Sequence, residues 1–180
     1  MRAEELKIEP ADLLLFWSRG WLPRLIRRFL PVNHAGVAIA PWVSVEAGWP
    51  RITKFDIREY MLPLNRGDMR LAVYRPAMLN EPMKAEVCRR AISIVGRPYD
   101  VLGLVVHGLD EIAEHLEGVP QHNWYADHLG GRHSMLCSAA TGFCFATVYE
   151  PFKRYWELDP ADILSIVRGD AGWQRIWGHV

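Results

Sequence analysis

The chain has 180 residues and a mass of 20.7 kDa; half of it is hydrophobic and 23% is charged. That balance suits one globular domain spanning residues 1–180 and excludes disorder, collagen and coiled coil. Twenty-one basic and twenty-one acidic residues cancel, so no basic field argues for nucleic acid as a partner.

The longest apolar runs fall far short of the roughly 20 residues that a membrane span needs, which argues against stable membrane insertion. The opening MRAEELKIEP places acidic residues where a signal peptide would be basic and then apolar. A cytoplasmic protein as synthesised is the expectation. Three cysteines, Cys88, Cys137 and Cys144, are too few and too odd in number for a disulfide framework.

In chain order, Asp12 to Phe16 (DLLLF) is a short apolar run that reads as a buried strand. Leu22 to Leu30, with Arg24, Arg27 and Arg28 interleaved, has the spacing of a short amphipathic helix ended by Pro31. His34 to Ala40 and Val43 to Ala47 flank Pro41-Trp42 and read as a β-hairpin. Arg70 to Tyr74 is a further strand. Asn80 caps a helix running through Val95, with Pro82 in its first turn and Gly96 past its end. Val87, Cys88, Ala91, Ile92 and Val95 form its apolar face, which makes Cys88 a core residue.

Residues 103–133 form an irregular insert holding five of the seven histidines. Ser134 precedes a second helix, Met135 to about Tyr149, and Asp162 to Val167 reads as a last strand. Neighbouring strands with helices set apart predict an α+β fold rather than a doubly wound sheet.

Four residues stand out for chemistry. Cys137 falls in the first turn of the second helix, where unpaired N–H groups and the macrodipole favour a thiolate nucleophile. The plainer reading is a small buried residue. Cys144, seven residues on, is two turns inside and reads as core. A nucleophilic cysteine needs a base and the base an orienter. His34 opens a strand, from which it can project toward a helix terminus. Glu46, twelve residues later on the returning strand, sits between Val45 and Ala47. It is either paired, because an unpaired buried carboxylate is costly, or turned to the surface by strand alternation. Tyr99, in Gly96-Arg97-Pro98-Tyr99-Asp100, is either an oxyanion donor or a packed turn residue.

Together these pieces resemble the NlpC/P60 superfamily of papain-like cysteine peptidases, in its circularly permuted, YiiX/YaeF-like branch. Pro10-Ala11-Asp12-Leu13-Leu14 resembles the family's Gly-Asp-Leu strand, with Ala11 in place of the usual glycine. His34-Ala35-Gly36-Val37-Ala38-Ile39 resembles its histidine strand, and Glu46 holds the third polar position. Gly96-Arg97-Pro98-Tyr99 resembles its tyrosine motif. Leu136-Cys137-Ser138 resembles its nucleophile motif, with Leu136 where unpermuted members often carry aspartate.

The resemblance implies a permuted papain-like fold, a small antiparallel sheet or half-barrel packed against helices. It implies a Cys137–His34–Glu46 site assisted by Tyr99, no cofactor, and a peptide or peptidoglycan-fragment substrate. The activity implied is that of a stem-peptide endopeptidase or amidase, often acting next to D-glutamate. With no export signal visible, such an enzyme is a phage protein, a secretion-system effector that reaches the wall by delivery, or a cytosolic peptide hydrolase; the sequence does not choose among them.

Three other classes compete. His107, His115, His122, His128 and His133 with Cys137 suggest zinc, although their spacings match no ligand motif. The aromatic N-terminal third and Leu22–Leu30 suggest a lipid or acyl-group enzyme of the same superfamily. A catalytically inactive binding module would keep the fold alone; the presence of Cys137, His34 and Glu46 together argues against it.

Overall fold

Leu13, Leu14, Leu15 and Phe16 are all buried, because their strand lies inside a sheet covered on both faces. The structure, a computed structural model, describes residues 6–18, 32–101, 103 and 135–178. The elements are β1 (Leu13–Ser18), β2 (His34–Ala40), β3 (Val43–Ala47), β4 (Ile52–Asp56), α1 (Met61–Asn65), β5 (Met69–Pro76), α2 (Glu81–Ser93), α3 (Cys137–Phe145), α4 (Pro160–Gly169) and β6 (Trp173–Gly178). Single 3-10 turns at Ile57–Tyr60, Glu150–Phe152 and Tyr155–Glu157 join some of them. The result is α+β, with a six-stranded sheet in the order β4-β3-β2-β1-β5-β6. Every neighbouring pair in it is antiparallel. The Leu22–Leu30 segment, the histidines of the 103–133 insert and Ser134 lie outside the described residues.

Alternation divides the sheet. Leu13, Leu15, Ala35, Val37, Val45 and Ala47 pack with α2, α3 and α4, through Val87, Ala91, Ala140, Cys144, Phe145, Ile163 and Val167. Leu14, Phe16, Ala38, Leu71 and Val73 face the other way, against Leu6, Ile8 and Ile57. At the start of β1, Asp12 is fully buried and accepts the Glu9 N–H (2.7 Å) and the Arg75 guanidinium (2.8 and 2.9 Å). Ala11 before it has φ 68°, a left-handed value that suits glycine.

The β2–β3 hairpin forms as expected around Pro41-Trp42, and Trp42 takes a positive φ of 66°, as the residue after proline does in a type II turn. Asn80 caps α2 through its side chain on the Met83 N–H, 3.0 Å.

Four expectations need correction. The buried face of α2 is Val87, Ala91 and Ile94; Ile92 is 48% and Val95 38% exposed, so the apolar stripe is rotated from the one read. Cys88 is only half-buried beside the core. The Asp162–Val167 strand is instead the middle of α4. Asp159 and Asp162 form a reciprocal capping box there with Pro160 in the first turn, and Ile163, Leu164 and Val167 bury at helical spacing. The local cap outweighs the β-branched run. Finally, α3 starts at Cys137, not Met135. Met135 is held extended by its N–H to Pro98 O (3.2 Å) and by the Asp100 N–H to its own carbonyl (3.3 Å).

Asp159→Ala removes the α4 cap. We expect a stability loss of about 1 kcal/mol, read as a lower urea midpoint at unchanged slope.

Candidate active site

The Met135 bridge sets the position of the thiol. Because residues 98–100 hold Met135 extended, the helix begins two residues later and Cys137 is its first residue. Leu136, at the N-cap, is extended and gives no side-chain cap. The first-turn N–H groups are therefore left to the thiol and its surroundings.

His34 is the first residue of β2 and pairs with Phe16 of β1. Alternation puts it on the Phe16 face together with Glu46, which pairs with Gly36, whereas α3 packs on the opposite face. The imidazole meets both because β2 begins at His34 and the ring stands at the rim of the sheet. Its Nε2 contacts Glu46 Oε2 at 2.9 Å, and it also hydrogen-bonds the Cys137 thiol. The Cys137 sulfur further accepts the backbone N–H groups of Ala35 and Ser138.

Glu46 does lie opposite Val45 and Ala47, as alternation requires, yet it is 6% exposed rather than on the surface. The Ile57–Tyr60 turn covers it. Tyr60 Oη donates to Glu46 Oε2 at 2.6 Å, and Ser44 Oγ donates to Oε1. Gly36 makes room for the carboxylate: a Cβ there would stand 2.7 Å from Glu46 Cγ.

The electrostatics follow. Burial works against each charged form, and the partners overcome it at three positions. His34 is raised to about 10 by hydrogen bonds and charges from Cys137 and Glu46, against the desolvation that lowers it. Cys137 is lowered by the His34 hydrogen bond and charge and by the two backbone donors, against burial. Glu46 is likewise lowered, by His34, Ser44 and Tyr60. The arrangement favours a thiolate–imidazolium pair backed by a carboxylate.

Tyr99 forms a short parallel bridge with Met135, two residues before the thiol. Burial, then the charges of Cys137 and Asp100, push its phenol upward, so it stays protonated. Cys144 is buried, donates to Ala140 O at 3.1 Å and is pushed up to about 12 by burial.

The structure thus brings Cys137, His34 and Glu46 into one chain of contacts with Tyr99 beside it. Ser44 and Tyr60 were not singled out from sequence. Ser44 lies two residues before Glu46 on the same strand, so period-2 reasoning would have put both on one face. Tyr60 gave no such signal. The zinc reading rests on histidines outside the described residues. Among the described residues no group of three or more His, Cys, Asp or Glu side chains is placed to hold a metal ion. Nor is any helix among them long and apolar enough to cross a membrane.

No protein-family model matches the sequence, and no curated protein matches it. Among solved structures, the metalloprotein yiiX of Escherichia coli O157:H7 is similar to this chain. The identity is 12% and the TM-score 0.53, over 97% of this chain and 99% of that one. The likeness is one of fold, and it extends over nearly the whole of both chains.

Proposed function

We propose that this chain is a cysteine-nucleophile amide hydrolase of the permuted NlpC/P60, papain-like type, acting on peptides of the peptidoglycan stem-peptide class. The observation that carries the reading is the Cys137 thiol at the first residue of α3, joined to His34, whose Nε2 meets the buried Glu46. The chain order supports the permutation. The Asp12 strand and the histidine hairpin come first, Gly96-Arg97-Pro98-Tyr99 next, and the nucleophile helix last. The resemblance in fold to yiiX is consistent with it.

The reaction has two halves. The Cys137 thiolate attacks the amide carbonyl carbon, forming a C–S bond and moving the carbonyl π pair onto oxygen. The Cys137 backbone N–H and the protonated Tyr99 hydroxyl stabilise that oxyanion. The tetrahedral adduct collapses, the C–N bond breaks, and imidazolium His34 gives its proton to the leaving amine. Water then attacks the thioester with neutral His34 as base, releasing a carboxylic acid and restoring the ion pair. Glu46 keeps the imidazole oriented and favours its charged form.

The lipid-enzyme alternative rests on the aromatic N-terminal third and on Leu22–Leu30, the latter outside the described residues, and no observation favours it over the amide reading. D-Glutamate-containing stem peptides are the first substrates to screen. Cys137→Ala should abolish their hydrolysis while the protein stays folded, and Cys144→Ala should keep it; turnover retained without Cys137 would overturn the mechanism.

The pH dependence has a worked sign. A lowered Cys137 pKa means thiolate persists below the ordinary thiol value of ~8.5. A His34 pKa raised to about 10 means imidazolium persists up to that pH. Hydrolysis should therefore be bell-shaped, limited on the acid side by thiol protonation and on the alkaline side near 10 by loss of the proton that the leaving amine needs. An assay across pH 5–11 checks it, and a single alkaline-rising curve would contradict the ion pair.

A further inference from the structure

Glu46 is the member of the site that the chain works hardest to hold. It is 6% exposed, too enclosed for water to replace a lost partner freely. Its Oε2 receives His34 Nε2 at 2.9 Å and Tyr60 Oη at 2.6 Å, while Oε1 receives Ser44. One carboxylate oxygen is therefore shared between the catalytic imidazole and a phenol from the Ile57–Tyr60 turn.

That phenol is aimed by its ring. Tyr60 stacks on Phe55 at 4.5 Å and 20°, and tilts against Phe16 at 4.9 Å; Phe16 also meets the His34 ring at 5.4 Å. The same aromatic cluster thus fixes both the imidazole and the hydroxyl that face Glu46. Gly36 leaves space for the Glu46 side chain, since a methyl there would fall 2.7 Å from Cγ.

We propose that Tyr60 is a positioning residue for the Cys137–His34–Glu46 site, clamping Glu46 Oε2 against His34 across the gap that Gly36 provides. This rests on the cysteine-hydrolase reading above. Tyr60 touches neither substrate nor sulfur in this role; it acts through Glu46. Removing its hydroxyl takes one donor from a buried anion. The carboxylate then supports the imidazolium less, and the imidazolium supports the thiolate less. The titratable groups facing this cluster are His34 from β2, Glu46 from β3, Tyr60 and Glu59 from the turn, Cys137 from α3, and Tyr99 with Asp100 from the segment after α2.

Tyr60→Phe separates the two contributions, because the ring packing stays and only the hydroxyl goes. The experiment is the pH dependence of iodoacetamide alkylation at Cys137, located by intact mass and peptide mapping, in wild type, Tyr60→Phe and Gly36→Ala. Thermal unfolding of each is recorded in parallel. The expected result is an acid limb moved up by about one pH unit in Tyr60→Phe, or about tenfold less thiolate at a pH on that limb, in a protein that still unfolds cooperatively. Gly36→Ala should move the limb the same way by pushing Glu46 aside, and it provides a second, independent route to the same readout.

A depressed wild-type limb that stays unmoved in both folded variants would overturn the clamp and leave the cysteine reading standing. A wild-type thiol that titrates near ~8.5 would overturn the cysteine reading itself and the clamp with it.

Discussion

The site depends on keeping one carboxylate charged where burial disfavours charge. Glu46 lies under the Ile57–Tyr60 turn at 6% exposure, where an unpaired anion would cost several kcal/mol. It is held charged because both oxygens accept hydrogen bonds, from Ser44 on one side and from Tyr60 and His34 on the other. Each contact has its own backbone cause. Ser44 shares the strand and the face of Glu46, Tyr60 is carried by the turn that closes that face, and His34 is the end residue of the partner strand. Losing any of them leaves the others facing a half-satisfied charge, the least favourable state for a buried polar network.

The sheet and the helix layer then meet at His34. A histidine in mid-strand would face one side of the sheet only. At the first residue of β2 it reaches the carboxylate on one face and the thiol of α3 at the rim. The matching adjustment on the helix side is the late start of α3. By pairing with residues 98–100, Met135 delays the helix until Cys137, so that the thiol occupies the first helical position. The same short bridge brings Tyr99 beside the segment that leads into Cys137. The long separation in sequence between Tyr99 and Cys137 is closed by two backbone hydrogen bonds.

Much of this was legible in the sequence where the signal is local. The β2–β3 hairpin, the Asn80 cap, and Cys137 at a helix start all rest on residues within a few positions of one another, and they formed. So did the pairing of His34 and Glu46, because a hairpin brings residues twelve apart together. What failed was either a competition between local signals or a matter of tertiary cover. Asp162–Val167 has the β-branched content of a strand, but Asp159 and Pro160 before it form a helix start, and the cap won. Alternation placed Glu46 correctly opposite Val45, yet whether that face was wet or dry depended on Tyr60, fourteen residues away through β4 and a turn. No period or motif in the chain carries that information. The β4 and β6 strands went unread for a related reason: Thr53, Lys54, Gln174 and Arg175 are exposed, so neither strand shows a clean apolar run.

The two cysteines of α3 show what the geometry adds to burial. Cys137 and Cys144 stand on one helix, both buried and both with desolvation as the largest influence on their thiols. Desolvation alone pushes a thiol up, and Cys144 behaves accordingly, reaching about 12 with only a carbonyl to receive its proton. Cys137 goes the opposite way because His34 and two backbone N–H groups point at its sulfur. The difference does not come from the helix as a whole, which both share. It comes from the end at which Cys137 stands and from the strand that reaches it. An imidazolium there is favoured by the Cys137 sulfur itself and by Glu46 behind it. The direction of the shift at the sulfur thus depends in part on a carboxylate on the other face of the sheet, reached through His34.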